Sequence, residues 1–385
     1  MRRAFKFRLH PNVNQARELG IMLETHRRLY NAALEQRKLA YETRGLSLGY
    51  NAQSGQLKEL RASDPYQART NFSSAQATLR RLDKSYQNFF RRCKQGSEAP
   101  GFPRFKGRDR FDSVEFPSYG DGIRLNGNRL RVQHVGTIRT KVHRDVEGTI
   151  KTATLKREVD KWYVVLSCDL GNVVVTPSTL PATGIDVGLE AFLTTADGLR
   201  VENPRYQKKE LPELRRRQRA VSRKKRGGRN RRKASHRVRV LHARIHNLRH
   251  EHHHRVALFL IRLYGLIGVE GLRVVNMLKN RSLARAISDA GWTGFVNVLR
   301  CKAERAGAEV VVVDPARTSQ ECSGCGVVVV KTLAQRWHTC PNCGLSLHRD
   351  ENAARNILAR ALLARTGPAD LKSNSALIRE AVCFS

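Results

Sequence analysis

The sequence predicts a multidomain α/β protein, and three observations carry that reading. From residue 183 onward the apolar patterning runs strand, strand, strand, helix, strand, helix, strand, helix. Two CxxC pairs, Cys322-Ser-Gly-Cys325 and Cys340-Pro-Asn-Cys343, precede the last of those helices. A lone alternating strand at residues 3–9 is separated by long helices from a second β-rich stretch. A chain of 385 residues has room for about two to four domains.

The first strand alternates, with Phe5, Phe7 and Leu9 on one side, and Pro11 ends it. From 13 to 44 a helix is expected, because Leu19, Leu23, Tyr30 and Leu34 recur at helical spacing. Residues 47–54 are polar and rich in turn formers, and read as an interruption. A second long helix spans 71–93. Phe72, Ala75, Leu79, Leu82, Tyr86 and Phe89 form one apolar stripe, and Arg80, Arg81, Lys84, Arg91 and Arg92 take the other face. Residues 94–111 are a Gly/Pro/basic linker that includes Gly101-Phe-Pro-Arg-Phe-Lys-Gly107. Strand patterning returns near 113. Residues 123–132 read as a hairpin around Asn126-Gly127, and 150–169 as another that turns near Asp160-Lys161. Strand 3–9 should join these strands, with the helices inserted between. Pro177 and Pro181 mark a boundary.

Beyond it, the first strand carries Gly184-Ile-Asp186-Val-Gly188. A second strand covers 191–196, and a turn at Asp197-Gly198 leads to a third. A basic helical region spans 206–263, then a short apolar strand ends on Glu270. A helix follows at 292–306. The apolar run 310–313 reads as a buried strand. The CxxC region and a helix from Asp350 complete the pattern; the tail after 367 has little periodicity and is expected to be mobile.

Charge narrows the partners. Lys plus Arg number 71 against 34 Asp plus Glu, a formal net charge of +37, which points to a polyanion and above all to nucleic acid. An anionic membrane is the competing partner. It is disfavoured because no apolar run approaches the roughly 20 residues needed to span a bilayer, and the basic segments are spread along the chain. The N-terminal residues alternate charged and aromatic groups and lack a signal-peptide core. Of eight cysteines, four form the CxxC pairs and Cys93, Cys168, Cys301 and Cys383 are scattered, which suits a reducing cytoplasm.

Two CxxC pairs, each followed by a glycine (Gly326, Gly344), supply the four thiolates of a tetrahedral structural zinc; a redox CxxC is the plainer alternative. The ribbon is too small to bury a core and should fold only when metallated. The strand–helix order from 183 is that of a ribonuclease H-like domain. In that order Asp186 on the first strand, Glu270 at the end of the fourth and Asp350 at the start of the last helix converge on one sheet edge. Three carboxylates there can hold two Mg²⁺ ions about 4 Å apart, an arrangement suited to phosphodiester hydrolysis. Taken singly, each has a plainer reading as turn residue, solvated strand end or helix N-cap.

Leu214, Val221, Val238, Leu241, Ile245 and Leu248 punctuate the basic run at 214–256, so part of it packs while Arg223, Lys224 and Lys225 face phosphates. His250, His252, His253 and His254 suggest a metal cluster at first sight; a structural or nucleic-acid-facing helix is the favoured reading.

Gly-Ile-Asp186-Val-Gly, Gly-Val-Glu270-Gly-Leu, Leu-Ala-Arg-Ala-Ile-Ser-Asp-Ala-Gly-Trp292, Thr-Ser-Gln-Glu-Cys322 and Asp350-Glu-Asn-Ala-Ala-Arg-Asn together resemble TnpB. That family comprises RNA-guided DNA nucleases encoded by IS200/IS605-type transposons, related to the small type V CRISPR effectors. The resemblance runs from Lys6-Phe-Arg-Leu to Ala354. It implies a wedge-type β-barrel over 1–10 and 112–178, and a helical recognition domain over 11–111. It also implies a RuvC nuclease domain over 179–319 and 345–366, a zinc ribbon inserted at 320–344, and a tail over 367–385. Asp186, Glu270 and Asp350 take the catalytic places. Tyr50, Ser54 and Gln76 fall where relatives read a short duplex motif, and Arg80, Lys84, Arg104 and Lys106 join the candidate nucleic-acid contacts. The implied cofactors are catalytic Mg²⁺ and structural zinc. The implied partners are a transposon-end-derived guide RNA and a target DNA duplex; the sequence does not fix the oligomeric state, and a monomer is the favoured one. One site would cut both strands. The rivals are a catalytically silent RNA-guided DNA-binding regulator, a zinc-ribbon RNA-binding protein and a strand-transfer transposase.

Overall fold

The computed structural model describes residues 1–108, 110–332 and 335–366; the tail over 367–385, with Cys383, lies outside the described residues. The chain divides into two compact units, Met1–Val173 and Val174–Ser385, with the division just before Pro177.

The first unit opens with β1 (Arg2–His10) and α1 (Val13–Arg44), followed by α2 (Tyr50–Gly55), α3 (Leu57–Ser63), α4 (Pro65–Ala68) and α5 (Phe72–Lys94). Six strands come next: β2 (Ser113–Phe116), β3 (Ile123–Asn126), β4 (Arg129–Val132), β5 (Gly136–Lys141), β6 (Thr149–Glu158) and β7 (Lys161–Asp169). The sheet order is β2-β6-β7-β1-β5-β4-β3, so the first strand is central, antiparallel to β7 and β5. Its alternation buries Phe5, Phe7 and Leu9 and leaves the intervening charges outside. Side chains from all seven strands join α1 and α5 in one apolar cluster. The sheet is therefore curled over that core, with β2 and β3 as the ends of a linear order.

Local chemistry sets the helix ends. Asn12 and Gln15 form a reciprocal capping box at the start of α1, and Gly45 in the left-handed region stops it. The stripe on α5 is buried at Ala75, Leu79 and Leu82, but Phe72, expected inside, is 43% exposed. Residues 47–54, expected as an interruption, contain most of α2. Buried Gln53 explains it: its amide donates to the Ala33 carbonyl at 2.8 Å and accepts from Arg37 at 2.8 Å, so polar bonds to α1 hold a turn-rich sequence helical.

The second unit begins with β8 (Ala182–Val187), β9 (Ala191–Thr195) and β10 (Arg200–Glu202). The basic region is three helices, α6 (Tyr206–Lys209), α7 (Leu211–Ser222) and α8 (Arg229–Leu263), the last two separated at Gly227-Gly228. Then come β11 (Leu266–Glu270), α9 (Val274–Met277), α10 (Ala284–Ala290), α11 (Trp292–Ala306) and β12 (Glu309–Val313). β13 (Trp337–Thr339), β14 (Ser346–His348) and α12 (Arg349–Thr366) complete the described chain. The five-stranded order is β10-β9-β8-β11-β12. The first three strands form an antiparallel meander, and β11 runs parallel to both β8 and β12, as the sequence pattern led one to expect.

Alternation sends Ile185, Ile267 and Val269 to one face, against Val256 and Leu260 of α8 and Phe295 and Leu299 of α11. The opposite face carries α12, through Ile357 and Ala361 against Leu266 and Val313. Two glycines allow that helix to approach. A Cβ on Gly184 would lie 2.1 Å from the Ala354 carbonyl oxygen, and one on Gly268 would lie 2.9 Å from the Ala361 Cβ. The run 310–313 departs from its expected burial: Val310 and Val311 are half-buried and Val312 is 42% exposed. Its strand is the edge of the sheet, paired among the described residues with β11 alone.

Candidate active site and metal centre

The parallel register pairs Val269 of β11 with Ile185 of β8, so the next residues, Glu270 and Asp186, leave the two strands side by side. Asp350 enters from the first turn of α12. The three carboxyls interact electrostatically. Burial pushes the Asp186 carboxyl well above the usual range, and Glu270 and Asp350 push it the same way against a smaller opposing pull from Arg349. Burial also raises Glu270, opposed by a hydrogen bond from the Thr318 hydroxyl (2.5 Å to Oε1) and by Arg360. Asp350 has His348 beside it, Nδ1 to Oδ2 3.8 Å. Among the described residues, no protein group donates a hydrogen bond to the Asp186 carboxylate. Three half-buried acids, two of which raise the third while it lacks a protein donor, fit the coordination of hard divalent cations by oxygen.

The four cysteines form a tighter group. Among the described residues they are the one set of three or more His, Cys, Asp or Glu whose ligand atoms all lie within 4.8 Å of one another. Sγ separations are 3.6 Å for Cys322–Cys343 and 3.5 Å for Cys325–Cys340. A tetrahedral ion with Zn–S bonds of about 2.3 Å places its sulfurs about 3.8 Å apart, so the residues fit zinc. The two knuckles are built alike. The Cys322 N–H donates to Val327 and the Cys340 N–H to Leu345, while the Gly326 and Gly344 N–H groups return to the Cys322 and Cys340 carbonyls. Gly326 and Gly344 have φ of 78° and 72°, which explains the glycine after each pair.

The candidate nucleic-acid residues fall into separate places. Tyr50, Ser54, Gln76 and Arg80 come together between α2 and α5: Gln76 Nε2 donates to Ser54 Oγ at 3.2 Å, and the Arg80 guanidinium lies 5.0 Å from the Tyr50 ring centre. Lys84 is exposed one turn beyond Arg80. Lys106 is tied to α1, its N–H donating to Asn31 Oδ1 and its ammonium 5.5 Å from the Tyr30 ring. Arg104 is exposed, as are Arg223, Lys224 and Lys225 between α7 and α8. Leu214, Leu241 and Ile245 pack those two helices together, as their spacing suggested.

The histidines do not form one cluster. His253 is buried, bonded through Nε2 to the Ala290 carbonyl, and burial lowers its pKa to about 4. His250 and His254 meet on the exposed face, Nε2 to Nε2 3.3 Å. Thr318, Asn352, Asn356 and Arg360 were given no role from sequence, although the first three stand inside quoted motifs; only the folded contacts reveal what they touch.

Comparison with known families gives a consistent assignment. Residues 166–281 match the IS605 OrfB model described as "Probable transposase", and 292–357 match the Cas12f1-like TNB domain. Residues 1–45 match an IS605 OrfB model described as a helix-turn-helix domain, although here they form one strand and one helix of 32 residues. A Streptomyces pristinaespiralis protein named as an RNA-guided DNA endonuclease is 35% identical over 94% of this chain and 90% of its own length. Escherichia coli K12 InsQ, similarly named, is 30% identical over 92% of this chain and 91% of its own. The solved mini-RNA-guided endonuclease CRISPR-Cas phi3 shares the fold at a TM-score of 0.50 and 11% identity, over 94% of this chain and 92% of that one.

Proposed function

The chain belongs to the TnpB family of IS605-type elements, and from that premise we propose that it is an RNA-guided, divalent-cation-dependent DNA endonuclease. A guide RNA from the transposon end selects the target by base pairing. The protein reads a short flanking motif and holds the opened duplex, and one RuvC-type site hydrolyses both strands. In this reading the curled sheet is the wedge domain, the helices of the first unit are the recognition domain, and the second unit is a RuvC domain carrying a zinc ribbon. The observation that carries the proposal is that Asp186 and Glu270 stand at the ends of adjacent parallel strands, with Glu270 and Asp350 both near enough to raise the Asp186 carboxyl.

Asp186, Glu270 and Asp350 would hold the cations. Bound there, divalent cations lower the pKa of an attacking water and neutralise charge on the leaving 3′ oxygen. The protein's own groups prepare the site. Thr318 fixes one oxygen of Glu270 and leaves the other oxygen for a ligand. Apposed carboxylates with raised proton affinity keep the site costly to leave without counter-charge. The net charge of +37 provides the field that gathers RNA and DNA through their backbones. Tyr50, Ser54, Gln76 and Arg80 are grouped as a patch able to meet base edges and a phosphate.

The test uses purified protein, one defined guide RNA and duplex DNA with the matching sequence beside a randomised flank. Double-strand cuts that need Mg²⁺, the guide and one particular flank are expected. Guide-independent cutting would mean an unguided nuclease. Guided binding without cutting, under several divalent ions, would mean a silent regulator; the presence of all three carboxylates weighs against that outcome.

A further inference from the structure

One face of α12 grips the segment that leads from β12 into the first CxxC pair. Asn352, Asn356 and Arg360 recur every four residues and so form one stripe. Asn352 is fully buried, and both ends of its amide are engaged: Oδ1 accepts the Ser323 N–H at 2.9 Å, and Nδ2 donates to the Glu321 carbonyl at 2.7 Å. Asn356 Nδ2 donates to the carbonyls of Thr318 and Glu321, both at 2.8 Å. Arg360 donates to the carbonyls of Asp314 and Ala316 and pairs with the Glu321 carboxylate at 2.6 Å.

The two ends of this grip differ in character. Ser323 lies inside the Cys322–Cys325 knuckle. Thr318, 3% exposed, directs its hydroxyl to Glu270. A continuous series of hydrogen bonds therefore runs from the Cys322–Cys325 knuckle, through Ser323, Asn352, Glu321 and Asn356, to Thr318 and the carboxylate. The Asn356–Thr318 bond is buried and the others are partly buried, with Asn352 and Thr318 themselves inside, so a broken link at either of these leaves a buried polar group poorly satisfied.

We propose that Asn352 is a positioning residue that clamps the CxxC knuckle to the Thr318 loop, so that the metal state of the four cysteines sets how Glu270 is presented. The inference rests on the reading that Glu270 holds a divalent cation. Coupling of this kind is reciprocal: if zinc in the ribbon strengthens cation binding at the carboxylates, cation binding must strengthen retention of zinc by the same factor. A helix that merely packs against the ribbon would show no such exchange.

The test uses the full chain with its bound RNA, and Mn²⁺ as the probe, followed by the electron paramagnetic resonance signal of the free ion. Zinc loss is followed separately, by transfer to a chromogenic chelator. Asp186→Ala defines which Mn²⁺ binding belongs to the carboxylate site. On wild-type protein, stripping zinc should weaken that site. Asn352→Asp keeps the acceptor for Ser323 but has no donor for Glu321. It should weaken Mn²⁺ binding by about tenfold, the lower end for a lost outer-sphere partner of a metal site, and should speed zinc loss. Thr318→Val should weaken Mn²⁺ binding yet leave zinc loss without added Mn²⁺ at the wild-type rate, and Thr318→Ser should restore Mn²⁺ binding. Saturating Mn²⁺ should slow zinc loss from wild type but not from Asn352→Asp or Thr318→Val. Thermal melts identify any variant that does not fold, and the zinc-stripping and Thr318 arms then decide. If wild-type Mn²⁺ affinity is indifferent to zinc, and zinc loss indifferent to Mn²⁺, the coupling is overturned while the nuclease reading stands. Absence of any Asp186-dependent Mn²⁺ site would overturn both.

Discussion

Glu270 stands beside Asp186 because each is the residue after the last paired rung between two parallel strands, Val269 with Ile185. Backbone register thus places two carboxyls together at a strand end, and α12 adds the third. Close apposition of acids is unfavourable without a cation, so the arrangement is costly for folding and useful for chemistry.

The first prediction follows directly. Asp186→Ala should reduce cleavage of a guide-matched duplex to the level seen with chelator, and leave guided DNA binding within about twofold of wild type, since binding rests on basic surfaces that the change leaves alone. Parallel cleavage and gel-shift assays check it. A variant that still cuts both strands at the wild-type rate would remove Asp186 from the site.

The same residue gives a stability prediction of opposite sign. The folded carboxyl has a raised pKa, so in the pH window above its unfolded value the metal-free fold holds a proton that the unfolded chain has released. Stability is lost as pH rises through that window. Asp186→Asn should therefore raise the melting temperature of chelator-treated protein at neutral pH, by a margin that shrinks toward acid. Melting curves at several pH values read the sign, and a lower melting temperature at neutral pH would contradict it.

Histidine burial predicts acid sensitivity. His26 is fully buried, bonded to the Met22 carbonyl and to Ser74 Oγ, and burial lowers its pKa from 6.5 to about 4. Its stabilising contribution is complete above the unfolded value and is lost as pH falls from 6.5 toward 4. Between pH 7 and 4.5 the loss should be about 2 kcal/mol. Denaturant titrations at pH 7 and 4.5 should show it, and His26→Gln should flatten the dependence. His253 in the second unit, also lowered to about 4, should add a second such slope.

Zinc removal is the fourth prediction. Cys340→Ser should lose about one zinc per chain by elemental analysis, and should lower cleavage even though Asp350 and its helix are unchanged in sequence. Wild-type protein free of zinc would contradict the fit of the four sulfurs.

Some of this was legible in the sequence and some was not, for identifiable reasons. Phe5, Phe7 and Leu9 were readable because alternation is a one-strand signal. The CxxC pairs were readable because chemistry fixes their spacing. The helix around Gln53 was missed because hydrogen bonds to Ala33 and Arg37, remote in sequence, create it. Val312 was misplaced because hydrophobicity does not say whether a strand lies at an edge. Thr318 and Asn352 stood in quoted motifs without a role, since a side chain's partner across 48 residues, as between Thr318 and Glu270, leaves no local periodicity.

Gly184 shows what a motif residue can mean once its neighbours are known, and it yields the last prediction. A Cβ there would meet the Ala354 carbonyl at 2.1 Å and the Leu358 nitrogen at 2.5 Å, both helix backbone that cannot rotate away. Gly184→Ala must therefore displace α12, at a cost of about 1–3 kcal/mol or more, as expected for overpacking. The same helix carries Asp350, so cleavage should fall in a variant whose three carboxylates are intact. Gly20 in α1 is the control, because nothing lies within 4 Å of its added Cβ. Gly20→Ala should stabilise by about 0.5–1 kcal/mol through helix propensity and leave cleavage unchanged. Denaturant melts and cleavage rates of the two variants decide the matter: equal stability and activity in both would mean that close approach of α12 to Gly184 does not position Asp350.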